Sequence, residues 1–162
     1  MRSEQDITQT IDTLGDTIWR VCVLYFGQSA DAEDAFQETI LKYALSSTVF
    51  NDGEHRKAWL IRVATNVCKD MLKAAHRNTI SIDENAEGYL DTGLTTEENF
   101  DDSTSEVLAV ISSLADPPRT PLYLALYEGY TAPEIAVLLD APINTVYSWI
   151  ARGKKQLREV LR

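Results

Sequence analysis

The stretch from Gly129 to Arg158 leaves the chain the least conformational freedom. Thr131 and Glu134 stand three apart with Pro133 between them. At that spacing the Thr hydroxyl accepts from the Glu134 amide while the Glu carboxylate reaches back, and proline is tolerated in a first helical turn. A helix therefore starts here. Ile135, Ala136 and Leu139 give it a small apolar face, and Asp140-Ala-Pro142 stops it, because proline disfavours helical geometry in the residue before it. A second helix follows at once, with Val146, Ile150, Leu157 and Leu161 on one side and Asn144, Thr145, Tyr147, Ser148, Arg152 and Lys155 on the other. Two short helices joined this tightly form a helix-turn-helix. Short polar groups near the start of the second helix and cations further along suit a helix laid against DNA. Taken alone, the segment also fits a helical hairpin that only packs.

Charge has to be located before it can be used. The chain of 162 residues carries a formal charge of -10, which argues against nucleic acid as a partner until its distribution is considered. Residues 78 to 106 hold nine acids (Asp83, Glu84, Glu87, Asp91, Glu97, Glu98, Asp101, Asp102, Glu106) and no Lys or Arg. The flanks are nearly neutral, and their cations cluster: His55 to Arg77 contains Arg56, Lys57, Arg62, Lys69, Lys73 and Arg77 against the single acid Asp70. Two basic faces separated by an acidic tether result.

The length allows one ordinary domain or two small ones. No membrane-spanning segment or cleaved leader is evident, so a soluble cytoplasmic protein is expected. Cys22 and Cys68 lie in amphipathic helical patterns without CxxC spacing or His partners. Neither a disulfide framework nor a zinc site is indicated, and buried thiols are expected, with a redox pair as the alternative.

Ile7, Ile11, Leu14, Ile18, Val21, Cys22 and Tyr25 recur at spacings of three and four and mark a first helix ending at Gly27. Asp31 or Ser29 caps a second, with Ala32, Ala35, Phe36, Ile40 and Tyr43 inward and Asp34, Gln37, Glu38, Leu41 and Lys42 outward. Residues 46 to 54, containing Asn51-Asp52-Gly53, read as a loop. A longer helix from about His55 to His76 then buries Trp59, Leu60, Val63, Ala64, Val67, Met71 and Leu72. Residues 78 to 102 show no sustained period and read as a flexible linker. Beyond them, Ser103 and Glu106 repeat the capping-box spacing ahead of Val107, Leu108, Ile111 and Leu114. Pro117-Pro118 opens a helix running to Gly129 that buries a choice of Leu122, Leu124, Leu126 and Tyr127. The expected fold is all-α: a three-helix bundle (1–77) and a four-helix helix-turn-helix domain (103–162) joined by an acidic linker (78–102).

Three motifs in order then resemble one family. Asp31-Ala-Glu-Asp-Ala-Phe-Gln-Glu-Thr39, Trp59-Leu-Ile-Arg-Val-Ala-Thr-Asn66, and Gly129 to Ala136 with Thr145 to Ser148 are similar to the signatures of bacterial RNA polymerase sigma factors of the sigma-70 family, in the two-domain extracytoplasmic-function (ECF) form. The resemblance covers nearly the whole chain except the tether. It implies that Asp34, Gln37, Glu38, Leu41 and Lys42 dock on core polymerase. It gives Arg56, Trp59, Arg62, Asn66, Lys69 and Lys73 to the minus-ten promoter element, with the 46 to 54 loop as a pocket for a flipped base. Trp59 also belongs to the apolar period and reads more readily as core than as a stacking platform. The minus-thirty-five element falls to Asn144, Thr145, Tyr147, Ser148 and Arg152 near bases and Lys154, Lys155 and Arg158 near backbone.

This chain departs from many members at Tyr147 and Trp149, where a basic residue is common. Weak duplex binding by the isolated domain is therefore expected. Tyr147 is suited to thymine methyls, and Trp149 to packing on the preceding helix. The linker's carboxylates fit either charge mimicry inside a basic polymerase channel or a solvated spacer.

The resemblance implies a transcription initiation factor that is a monomer when free of polymerase. Its partners are then core RNA polymerase, promoter DNA and an anti-sigma factor, with no membrane insertion, no metal and no cofactor. Two other readings compete: a stand-alone helix-turn-helix regulator, and a helical partner-binding module that has lost DNA binding. Catalysis is not expected, since the sequence contains no phosphate-binding Gly loop, HExxH or nucleophile elbow and only two His.

Overall fold

The computed structural model describes residues 1–79, 102–114 and 118–161, which form helices and no strand. The chain divides into two compact units, Met1–Thr96 and Glu97–Arg162. Helices α1 (Glu4–Phe26), α2 (Ala30–Leu45) and α3 (Gly53–Thr79) build the first, each packing on the other two.

Local chemistry sets the boundaries of these helices. The Ser3 side chain accepts from the Asp6 amide at 3.1 Å and opens α1. Gly27, at φ 68°, closes it in a conformation that disfavours a side chain. Of the two candidate caps for α2, Ser29 is the one used, accepting from the Ala32 amide. Asp52 accepts from the His55 amide at 2.8 Å, so α3 begins two residues earlier than expected, and it runs three further.

Ile18, Leu24, Tyr43, Leu60 and Ile61 are fully buried, and both thiols lie among them, as expected. The expected α1 stripe is incomplete at its start, where Ile11 is exposed, and too narrow at its end, where Val21 to Phe26 is buried all round. On α2, Phe36 and Ile40 are only half-buried. Thr39 takes the central place, its hydroxyl donating to the Ala35 carbonyl at 2.8 Å, which removes the cost of burying it.

The second unit holds α4 (Asp102–Ser112), α5 (Arg119–Leu126), α6 (Ala132–Leu139) and α7 (Ile143–Val160). Nearly all of the expected linker, residues 80–101, and the Ser103 side chain lie outside the described residues. Helix α5 is shorter than expected: it buries Leu122, Tyr123 and Leu124, leaves Leu126 exposed, and ends as the Tyr127 ring stacks on Tyr123 at 5.5 Å.

The capping box forms as expected, with the Thr131 amide donating to Glu134 Oε1 at 2.8 Å and the Glu134 amide donating to Thr131 Oγ1 at 3.3 Å. Helix α6 ends at Asp140, which adopts the left-handed conformation (φ 54°, ψ 51°), while the Ala141 amide donates to the Ala136 carbonyl at 2.9 Å. Leu138, missing from the expected face, is buried beside Ile135. On α7, Val146 is fully buried, Ile150 and Leu157 are half-buried, and Leu161 is exposed. The inner position beyond Ile150 belongs to Gly153, where a Cβ would stand 3.1 Å from Leu122 Cδ2 and 3.2 Å from Pro118 Cβ. No helix among the described residues is long and apolar enough to cross a membrane.

Candidate nucleic-acid interface

Helix α2 turns Ala32, Ala35, Thr39 and Tyr43 into the bundle, so the residues between them face away. Asp34, Gln37, Glu38, Leu41 and Lys42 are all exposed and form one stripe at helical spacing. Glu38 and Lys42 pair at 3.6 Å in solvent, which does little for stability. Leu41 is 51% exposed, and Leu45, one turn on, is 62% exposed. An apolar ridge this exposed and flanked by charges suits a docking surface. Leu45 was not among the expected residues, although its position eleven after Asp34 continues the same stripe. At the head of the helix, partial burial and then the neighbouring Asp34 carboxylate push the Asp31 carboxyl above its usual range.

The six residues expected at the minus-ten element separate into two sets. Arg62, Asn66, Lys69 and Lys73 are exposed at spacings of four, three and four along α3 and form a row suited to a phosphate backbone with an amide among the cations. Arg56 and Trp59 are half-buried behind that row, in an aromatic cluster. Trp59 meets Tyr43 and Phe50 edge-on at 6.0 and 5.6 Å, which favours its reading as core. Arg56 Nε donates to the Tyr43 hydroxyl at 3.1 Å, and its guanidinium lies 5.2 Å from the Phe50 ring.

Sequence reasoning missed the group that ties this cluster together. Arg2 Nε donates to the Tyr43 carbonyl at 2.9 Å and Nη2 to the Thr48 carbonyl at 2.6 Å, with the guanidinium 4.3 Å over the Tyr43 ring. Nη1 lies 3.6 Å from Asp6 Oδ2. The Tyr43 hydroxyl donates to Asp6 Oδ1 at 2.5 Å, and that bond does most to hold the Asp6 carboxyl below its usual range. Partial burial opposes the shift, while Arg2, Arg56 and Thr10 add to it. Asp6 also borders an open polar cleft of about 360 Å³ lined by Gln5, Gln9, Thr13 and Arg56. The only local signal of this network was Ser3 to Asp6, an ordinary cap. Arg2 reaches partners forty-one and forty-six positions away, which no periodicity reveals.

In the second unit, burial of Val146 and Gly153 orients α7. Asn144, Tyr147, Ser148, Arg152, Lys154, Lys155 and Arg158 are exposed, and Thr145 is half-buried. The expected outward face is therefore present. Its first two turns carry only neutral groups, and every cation lies in the second half. Tyr147 is 55% exposed whereas Trp149 is half-buried, so the two departures differ in kind: one ring is available to a ligand and the other packs. Among the described residues no cluster of His, Cys, Asp and Glu is placed to hold a metal.

Residues 10–78 match the family model described as sigma-70 region 2, and residues 104–157 match that of sigma-70 region 4. The chain is 30% identical over 149 residues to the ECF RNA polymerase sigma factor SigE of Mycolicibacterium smegmatis, an alignment covering 90% of this chain and 58% of that protein. It thus spans less than two thirds of that relative's length. It is also 30% identical over 139 residues to the ECF RNA polymerase sigma-E factor of Escherichia coli, covering 80% of this chain and 73% of that one. Among solved structures, the fold is similar to that of the sigma factor RpoE from Bartonella quintana, determined in complex with the anti-sigma factor NepR, with a TM-score of 0.78 at 19% identity over 97% of both chains.

Proposed function

The chain belongs to the sigma-70 family of RNA polymerase sigma factors, in its extracytoplasmic-function form, and from that premise we propose that it binds core RNA polymerase and directs initiation at promoters read through two separated elements. Residues 1–77 act as region 2, 103–162 as region 4, and 78–102 as the tether. Core polymerase docks on the stripe of Asp34, Gln37, Glu38, Leu41 and Lys42. The α3 row of Arg62, Asn66, Lys69 and Lys73, with Arg56 and Trp59 behind it, engages the minus-ten element. Melting is driven by capture of unstacked bases, each step costing a few kcal/mol, offset by stacking and phosphate contacts. Helix α7 enters the major groove of the minus-thirty-five element. The protein catalyses nothing itself.

The observation that carries this reading is the exposed apolar ridge at Leu41, set among charges and two residues beyond the Asp31 to Thr39 signature. A stand-alone regulator has no use for it. An anti-sigma factor completes the set of partners, on the analogy of the B. quintana complex.

The test is a pull-down of purified bacterial core polymerase, followed by run-off transcription on a pool of upstream genomic fragments, with wild-type chain and with Glu38→Lys. Binding and new transcripts that are lost in Glu38→Lys are the expected result. A folded wild-type chain that leaves core polymerase unbound would refute the reading.

A further inference from the structure

The segment between α2 and α3 is held from behind and bare in front. Ser46, Thr48 and Phe50 are half-buried while Ser47, Val49 and Asn51 are exposed, the alternation of extended chain. The inward residues are anchored in different ways. The Ser46 hydroxyl accepts from the Thr48 amide at 3.0 Å, the Thr48 carbonyl accepts from Arg2, and the Phe50 ring stacks on Tyr43 and meets Trp59 edge-on. Downstream, the Asn51 amide donates to His55 Nδ1 at 3.1 Å.

Arg2 joins this segment to the end of α2, alongside the stacking of Phe50 on Tyr43. Its own amide donates to the Ala44 carbonyl at 2.9 Å, and Nε donates to that of Tyr43, which also accepts from the Ser46 amide, so Arg2 helps to satisfy the carbonyls at the helix end. Nη2 then crosses to Thr48. The planar fork makes both bonds at once, a geometry that an ammonium cannot reproduce. On the outer side, Val49 is 83% exposed and buries nothing, with a hydroxyl and an amide on either side of it. An ordered row of hydroxyl, isopropyl and amide suits the edge and face of an unpaired base.

We propose that Arg2 is a positioning residue for minus-ten recognition: its guanidinium clamps the segment between Ser46 and Asp52 so that Ser47, Val49 and Asn51 present one rigid row to an unstacked promoter base. The proposal rests on the sigma-factor reading above. Its physical content is entropic. A base captured by a segment already ordered does not bear the cost of ordering it, whereas a loosened segment loses discrimination without losing the fold beneath it.

The experiment uses holoenzyme reconstituted from core polymerase and the full chain. Open-complex formation is compared on the promoter recovered from the fragment pool and on the same promoter with one minus-ten base replaced. In wild type the ratio of the two rates measures discrimination. Arg2→Lys keeps the charge beside Asp6 but loses the fork, and it should lower that ratio about tenfold, the size of one mismatch, while core affinity stays within about twofold. Val49→Gly, which disturbs nothing buried, should lower the ratio too. Were Arg2→Lys to slow both promoters equally, Arg2 would be merely structural and the proposal overturned. An unchanged ratio in Val49→Gly would overturn it as well, whatever the fate of the Arg2 variant. A wild-type chain without core binding would instead remove the sigma-factor reading itself.

Discussion

Gly153 decides how closely α7 lies on α5, and two opposed effects can be weighed there. An alanine at a helix interior is better than glycine by about 1 kcal/mol. Against that, the new Cβ would stand 3.1 Å from Leu122 Cδ2, 3.3 Å from Leu122 Cβ and 3.2 Å from Pro118 Cβ. A methyl can rotate away, but the two Cβ atoms move only with their backbone, and Leu122 is fully buried with nowhere to turn. Overpacking of this kind costs roughly 1–3 kcal/mol. Gly153→Ala should therefore destabilise the second unit by about 1 kcal/mol net, and Gly153→Val, with two further methyls and a β-branch, by about 3 kcal/mol or more. Hydrogen exchange of the α7 amides in the intact chain is the suitable assay, because two compact units need not unfold in one transition. Slower exchange in Gly153→Ala than in wild type would refute the reasoning, since helix propensity would then outweigh the close approach.

Three further outcomes follow from the same geometry. Asp6 has a folded pKa held below 3.8, so its contribution to stability is present above that value and is lost as pH falls through the lower folded value. The thermal midpoint of Asp6→Asn should accordingly lie below that of wild type at pH 7 and converge with it as the pH is taken below 3.8. Leu45→Asp, at a side chain 62% exposed, should shift the melting curve little and weaken core-polymerase binding, measured by the same pull-down as Glu38→Lys. Tyr147→Arg should raise duplex affinity and steepen its salt dependence by about 0.9 in the log–log slope, read by titration at several salt concentrations, whereas Trp149→Arg should lower stability instead.

The elements that the sequence disclosed are those whose signals are local. Thr131 and Glu134 cap each other across three residues, and Asp34 to Lys42 lie outward because Ala32, Ala35 and Tyr43 lie inward on the same helix. What escaped was long-range or came from the absence of a side chain. Gly153 buries itself because it has nothing to bury, so a hydrophobic count passes over it and extends the stripe to Leu161 instead. Thr39 reads as polar, yet a bond to the Ala35 carbonyl lets it fill the centre of α2. Arg2 reads as one cation among fifteen, and only the tertiary fold brings Tyr43 and Thr48 to its guanidinium. Trp59 leaned toward core on its period, although period alone cannot tell a core ring from a stacking platform. The rings of Tyr43 and Phe50 beside it favour the first.

The placement of charge on α7 bears on which of the competing functions the chain can serve. A regulator that acts alone must draw its affinity from one helix-turn-helix, and phosphate neutralisation supplies most of that affinity. Here the first two turns of α7 carry Asn144, Thr145, Tyr147 and Ser148, and the exposed cations begin only at Arg152. Such a helix discriminates better than it holds. Holding has to come from elsewhere, and the first unit offers two means: the α3 row of cations and the Leu41 ridge on α2. Under the proposed function, a partner that retained the protein through that ridge would make the DNA contacts of α7 and α3 intramolecular, so that modest affinities multiply rather than compete. On that reading weak duplex binding by α7 would serve specificity, because neither element alone would detain the complex at a wrong site. A stand-alone regulator with the same helix would need a second copy to do this.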